Sequence, residues 1–350
     1  MFFKRRTVLL VGLFAIGAAM LLSCGNQGQS GALSDRVTTN RDGSPIRLAW
    51  IGKTLNNPWW ISVADFARAE AAALGVELTI ALPQEEVDLE SQVAMVDAAI
   101  LQGVDAIIIS AVSSEGIIPA IMRARAAGIQ IVNFDTRIDD PAMYDAFIGA
   151  DDVDGAYKAG RFIADQIGGQ GTVGLITGLL AQSTGVDRRE GFLRAMQAYP
   201  GITVVENSAD WRSDLAANVT AGMLTAHPDI RAIFASNDQM AVGMVSAVRA
   251  AGRAQGDLVL VGYDGILDAV NLVLDGDLDA FVALPNIEQA QIGVRLAVAL
   301  VLNEGFNFTR EMIFPTPLVT YDVVPGHTDR TIFEFTAMSF PLRGITATGY

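Results

Sequence analysis

The chain has 350 residues, 24 Lys and Arg against 39 Asp and Glu, and a formal net charge of −15; 51% of it is hydrophobic and 18% charged. That balance excludes a disordered polymer and provides apolar surface for two cored domains of ~100–200 residues each. Acidity with no Lys/Arg run beyond residue 6 argues against a nucleic-acid surface, which needs clustered cations, while one cysteine and two histidines exclude an internal disulfide, a multi-Cys zinc site and a three-His metal centre.

Lys4, Arg5 and Arg6 precede an apolar run over residues 7–22, shorter than the ~20 residues of a membrane span. This is the shape of a secretory signal peptide. Leu21-Leu22-Ser23-Cys24 resembles the lipobox of bacterial lipoproteins. The resemblance implies cleavage before Cys24, lipidation of Cys24 and an extracytoplasmic lipoprotein anchored in a membrane. A signal anchor with an incidental cysteine is the alternative. Loss of residues 1–23 removes three positive charges and shifts the formal charge from −15 to −18. Residues 24–45 are polar and rich in Gly, Ser and Asn, a flexible tether whose 21 residues after the cysteine reach ~25 Å at roughly 5–6 Å × √n.

From Arg47 onward short β-branched runs alternate with Ala-rich stretches. The predicted strands are 47–52, 76–81, 105–110, 129–134, 145–150, 172–177, 202–208, 230–236, 257–263 and 278–284. Helices fall between them, among them 59–75, 89–103 and 287–305. Most strands are continuously apolar, which marks parallel strands buried on both faces. The expected fold class is α/β, with two doubly wound parallel-sheet lobes joined by a multi-crossover hinge. The halves echo each other: residues 103–112 resemble 229–238, and 131–138 resemble 260–267. Division near Ala150 and Leu284–Pro285 gives an N-terminal lobe of 46–150 plus about 285–315 and a C-terminal lobe of 151–284 plus about 316–350.

In open α/β sheets ligands lie beyond the carboxyl ends of the strands. After the first strand come Asn57, Pro58, Trp59 and Trp60. Asn57 reads either as the N-cap of the next helix, with Pro58 at its first position, or as a ligand group. Successive helical residues point ~100° apart, so one of the two tryptophans can pack inward while the other faces a cleft. Trp211 follows a later strand. Aromatic faces suit the C–H faces of a sugar. Asp135 and Asp264 each follow a strand, as hydroxyl acceptors or as caps of the following turn. Arg188 and Arg189 read as two cations at a helix start, opposed to the macrodipole, so that at least one is held there for a partner; a surface-exposed Arg188 is the alternative. In Ser236-Asn237-Asp238-Gln239, Ser236 is expected to cap the helix in a capping box and leave the Asn237 side chain free.

Residues from about 46 to about 325 resemble the periplasmic ribose-binding protein family, the type I sugar-binding proteins of ABC importers, whose fold is shared by the effector domains of lac-repressor-type regulators. The resemblance rests on TLNNPWW (54–60), QGVDAIIIS (102–110), Phe134-Asp135, DRREGF (187–192), TAHPDIRAIFASNDQMAVG (225–243) and LVGYDG (260–265). It implies ligand contacts at Asn57, Trp59, Trp60, Asp135, Arg188, Trp211, Asn237 and Asp264. Three departures add Lys53, Thr136, Arg137 and Leu284 to the site's margin. Lys53 stands where a small hydroxyl residue is usual. Thr136 separates Asp135 from Arg137, which the family pattern has adjacent. Leu284 falls where a glutamine is usual, before a stretch (285–291) that looks like a lengthened loop.

The implied function is solute binding without cofactor or metal. A monomeric, lipid-anchored protein takes a monosaccharide or polyol by hinge closure and delivers it to an ABC permease. The alternatives are a sensor presenting its closed form to a chemoreceptor or kinase, and an enzyme on the same scaffold. No G-x-S-x-G, P-loop or H-E-x-x-H stretch supports the enzyme, and the glycines at 168–171 read as a helix–strand turn. The segment 325–350 lies beyond the family pattern.

Overall fold

The computed structural model describes residues 39–40, 42–303 and 309–321. The leader, Cys24, most of the tether and the segment 325–350 lie outside them. The first lobe begins as β1 (Arg47–Ile51), α1 (Pro58–Leu74), β2 (Glu77–Ala81), α2 (Leu89–Gln102), β3 (Ala106–Ile109), α3 (Ile118–Ala126), β4 (Gln130–Phe134) and β5 (Ala146–Ala150). The second comprises α4 (Asp152–Gln166), β6 (Gln170–Thr177), α5 (Ser183–Met196), β7 (Gly201–Ser208), α6 (Ser213–Ala226), β8 (Ile230–Ala235), α7 (Asp238–Ala250), β9 (Val259–Asp264), α8 (Leu267–Asp275) and β10 (Ala280–Ala283). The chain then runs through α9 (Asn286–Leu302), β11 (Glu311–Phe314) and β12 (Leu318–Thr320).

Two six-stranded sheets result, ordered β11-β5-β4-β3-β1-β2 and β12-β10-β9-β8-β6-β7. All pairings are parallel except β12 against β10. The fold is therefore two parallel-sheet α/β lobes. Strand composition follows position. β3 (AIII) is buried throughout, because helices cover both faces of the sheet. β2 and β7 lie at sheet edges and expose part of every turn of the pleat. β11 and β12 are too short to carry a periodicity signal, and the sequence did not predict them.

The chain passes between sheets after β5, after β10 and between β11 and β12. At the second passage the stretch expected to be a lengthened loop is instead the start of α9, with Pro285 at the cap position. α9 leaves the second sheet and packs on α1, β3, β4 and β5 of the first, whereas α4 follows β5 and packs on α5, β9 and β10.

The contact of α4 with α5 depends on small residues. A Cβ placed on Gly191 would lie 2.1 Å from the Val153 carbonyl oxygen, and one on Gly160 would lie 2.7 Å from the Ala195 Cβ. A main-chain carbonyl cannot rotate away as a side chain can. Gly191→Ala is expected to destabilise the protein by about 1–3 kcal/mol through overpacking, despite the ~1 kcal/mol that alanine contributes to a helix interior. Urea denaturation reads the change, and an unshifted midpoint contradicts the close approach of the two helices.

Candidate ligand-binding site

β4 holds the same place in the first sheet that β9 holds in the second. Each ends in an aspartate with positive φ, 59° at Asp135 and 113° at Asp264. A non-glycine residue held there costs about 1–3 kcal/mol, and such strain concentrates at functional sites. The Asp135 amide bonds to the Ile148 carbonyl at 2.7 Å, which carries the sheet pairing through the turn. The turn after Asp264 is fixed by Asp238, whose Oδ2 accepts from the amides of Gly265 at 2.6 Å and Ile266 at 3.0 Å.

Asp135 lies among donors of its own lobe. Its Oδ2 accepts from Ser110 Oγ at 3.2 Å and Thr136 Oγ1 at 3.1 Å, and lies 3.3 Å from Lys53 Nζ. Lys53 is buried, 3.6 Å from Glu86 Oε1 and over the face of Trp60 at 5.4 Å. In the second lobe Arg188 donates through Nε to Asp152 Oδ1 at 2.8 Å. Its Nη1 serves both Asp264 Oδ1 at 2.9 Å and the Ser236 carbonyl at 2.8 Å. Its guanidinium carbon lies 3.9 Å from the Tyr263 ring centroid and 5.6 Å from that of Trp211.

The aromatic groups are packed rather than free. Trp59 and Trp60 meet edge-on with centroids 4.7 Å apart, and both contact Phe134. Trp211 has φ 65° and lies over Gly178, where an added Cβ would fall 2.1 Å from the indole. Its Nε1 donates to Gln182 Oε1 at 2.9 Å.

Several expectations need correction. Asn237, not Ser236, caps α7: its Oδ1 accepts from the Met240 amide at 2.8 Å. Asn237 therefore commits one acceptor position of its oxygen to the helix and keeps its amide nitrogen for a ligand, and Ser236 Oγ is buried without a partner among the described residues. Asn57 caps α1, accepting from the Trp59 amide at 3.0 Å, as one of its two readings held. Arg188 is not at a helix start, because α5 begins five residues earlier at Ser183. It is held by carboxylates and an aromatic ring, not set against a helix N-terminus. Arg137 packs its guanidinium on Phe147 at 3.8 Å and pairs with Glu311 at 3.3 Å, and does not pair with Asp135. Leu284 is buried and uses its amide, at 3.1 Å from the Asp264 carbonyl, to extend the sheet. Its side chain has no polar group to replace the glutamine expected there. Thr136 and Lys53 do lie at the centre, against Asp135.

Sequence reasoning passed over Asp152, Glu86 and Gln182. Asp152 and Gln182 follow strands and fall under the strand-end rule that found Asp135. Glu86 lies in a run of acidic residues that reads as a solvated loop. Burial pushes Asp264 up to about 7, since Arg188 only partly offsets it and the charges of Asp135 and Asp152 add to it. Burial likewise pushes Glu86 up to about 7 against the pull of Lys53, with Asp135 opposing ionisation. Asp187 is raised to about 6 by burial and by Asp152. Burial opposes the charge of Arg188, but Asp152 and Asp264 outweigh it and hold the guanidinium ionised.

The lobes touch directly along this seam, with Lys53 Nζ 2.8 Å from Gln182 Oε1 and Thr136 Oγ1 3.1 Å from Thr184 Oγ1. Two doubly wound lobes joined by three strands and meeting at their strand ends make a bilobal solute-binding protein. Comparison with known proteins agrees. Residues 48–305 match the model of the periplasmic binding protein domain. The D-ribose/D-allose-binding protein of Pseudomonas aeruginosa is 34% identical over 281 residues, which span 78% of this chain and 87% of that one. A periplasmic solute-binding protein of an ABC transporter from Actinobacillus succinogenes, solved with bound D-allose, is 31% identical. It superimposes with a TM-score of 0.75 over 81% of this chain and all of its own. The fructose-binding periplasmic domain of a hybrid two-component system is 27% identical, with a TM-score of 0.75 over 84% of this chain and 95% of its own. The chain thus belongs to the periplasmic binding protein family, among its sugar-binding members, and is a binding protein rather than an enzyme. The family implies an extracytoplasmic location.

The folded chain holds a proton on Glu86 that the unfolded chain releases near 4.5, so stability falls as pH rises from about 4.5 to about 7. Asp264 contributes in the same direction. Glu86→Gln is expected to flatten this decline, read as the denaturation midpoint across pH 4.5 to 7.5. An equal slope in parent and variant contradicts the raised value.

Proposed function

We propose that this protein is the solute-binding component of an ABC importer, tethered outside the cytoplasm by lipid at Cys24, and that as a monomer it encloses a monosaccharide or polyol between its lobes and presents it to the membrane permease. The observation that carries this reading is the pair of strand-end aspartates, one from each lobe. Asp135 Oδ1 and Asp264 Oδ2 accept no hydrogen bond among the described residues. Carboxylate oxygens of this kind accept from adjacent hydroxyls in strong, charge-assisted bonds. Arg188 donates to Asp264 and Lys53 pairs with Asp135, and these two cations lie over the indoles of Trp211 and Trp60. Lobe closure brings the two halves together, so a ligand that bonds to both shifts the population toward the closed form.

Relatives that bind D-ribose, D-allose, D-apiose and xylitol support a small polyhydroxylated ligand. The likeness to the fructose-binding domain of a two-component system favours a second reading, a sensor in which the closed form contacts a receptor or kinase.

A thermal-shift screen over pentoses, hexoses and polyols tests the site, since ligand at ~100 Kd raises stability by about 2.7 kcal/mol. For the sugar that scores, Asp264→Ala and Asn237→Ser are expected to weaken calorimetric affinity by about 1–3 kcal/mol each. Serine retains a capping oxygen at position 237 and removes only the amide donor. Unchanged affinity in both variants, or no hit in the screen, rejects the site. Cys24→Ala is expected to move the protein from the membrane to the soluble fraction, and continued membrane association rejects the anchor.

A further inference from the structure

We propose that Gln182 is a positioning residue that couples closure of the lobes to the shape of the binding site; the proposal rests on the reading of the seam as a ligand site. Gln182 occupies the N-cap position of α5, where Ser, Thr, Asp and Asn are favoured because their short side chains bond to the first helical amides. Its side chain makes no capping bond. It is fully buried and reaches out of its own lobe. Oε1 accepts from Trp211 Nε1 at 2.9 Å within the second lobe and from Lys53 Nζ at 2.8 Å in the first. Nε2 donates to the Val112 carbonyl of the first lobe at 3.2 Å. One amide oxygen thus ties the edge of an indole to an ammonium across the seam.

The neighbours of Gln182 are diverted in the same way. Ser183 Oγ accepts from the Arg137 amide at 2.8 Å, and the Ser183 amide donates to Ser114 Oγ at 3.0 Å. The Ser114 amide donates to the Ala181 carbonyl at 3.0 Å, and Thr184 meets Thr136 at 3.1 Å. Residues 181–184 therefore sit in the loops after β3 and β4. Each bond runs from one protein group to another, so the chain's own groups hold the lobes together. Separation of the lobes takes the Gln182 oxygen from Lys53, and Lys53 is left with Asp135 and Glu86 alone. Trp211 keeps its bond to Gln182 within the second lobe, but the Gln182 amide that accepts it is no longer held by Lys53 and Val112. The placement of that amide, and through it of the indole edge, is fixed from both lobes only when the seam is shut.

Amide hydrogen exchange on the full chain, with no sugar added, tests this. The amides of Ser114, Arg137 and Ser183 bond across the seam, so in the parent protein they are expected to exchange slowly. Gln182→Met and Lys53→Met each remove the shared bond from one side. Each is expected to accelerate exchange at these three amides roughly tenfold or more, with the amides of Ile108 in β3 and Phe234 in β8 unchanged. The double variant should be no faster than Gln182→Met alone, because Lys53→Met then has no cross-seam bond left to remove, whereas Lys53→Met alone leaves the Gln182–Val112 bond in place. Unprotected rates in the parent, unchanged rates in the variants, or equal acceleration in the sheet interiors overturn the proposal. Because no sugar is present, failure here leaves the ligand reading standing, and an empty sugar screen does not alter these rates.

Discussion

Arg188 is shared by two buried carboxylates, and the second lobe's half of the seam is arranged around that shortage of positive charge. One guanidinium cannot neutralise Asp152 and Asp264 together, and Asp135 adds a third negative charge nearby. A buried charge without adequate partners is costly, so every group around Arg188 is fixed. The Tyr263 ring centroid lies 3.9 Å from the guanidinium carbon, the Ser236 carbonyl accepts a hydrogen bond from Nη1, and Asp238 pins the turn that carries Asp264. Asp264 is left with a residual demand for donors.

The first lobe solves the same problem with different residues. Asp135, at the place equivalent to Asp264, takes an ammonium and two hydroxyls where its counterpart takes a guanidinium. The two sheets have the same strand order, and each aspartate has a positive φ at the corresponding strand end. Repetition of the fold supplies two acceptors that approach each other when the lobes meet, and divergence of the surrounding donors makes the two ends of the cleft chemically distinct.

The three passages of the chain between the lobes limit how they can move. Closure has to bend at the ends of β5 and β10 and between β11 and β12, while α4 and α9 travel with the sheets they pack on. Residues 181–184 are at least about 30 residues from these passages and bond across the seam to the loops after β3 and β4.

The amino-acid sequence by itself determined the fold class, ten of the twelve strands of the described residues and the strand-end aspartates, because continuous apolar runs and short links are local signals. It also marked Asn57 before Pro58 as a helix start, since a cap is read within four residues. Only the tertiary structure decided what each polar side chain does there. The Asn237 oxygen caps its own helix, the Arg137 guanidinium turns to Phe147 and Glu311, and Gln182 abandons its cap to reach Lys53, 129 residues away. These choices depend on which donors and acceptors two separate stretches of chain bring within 3 Å of each other, and no local pattern encodes that distance.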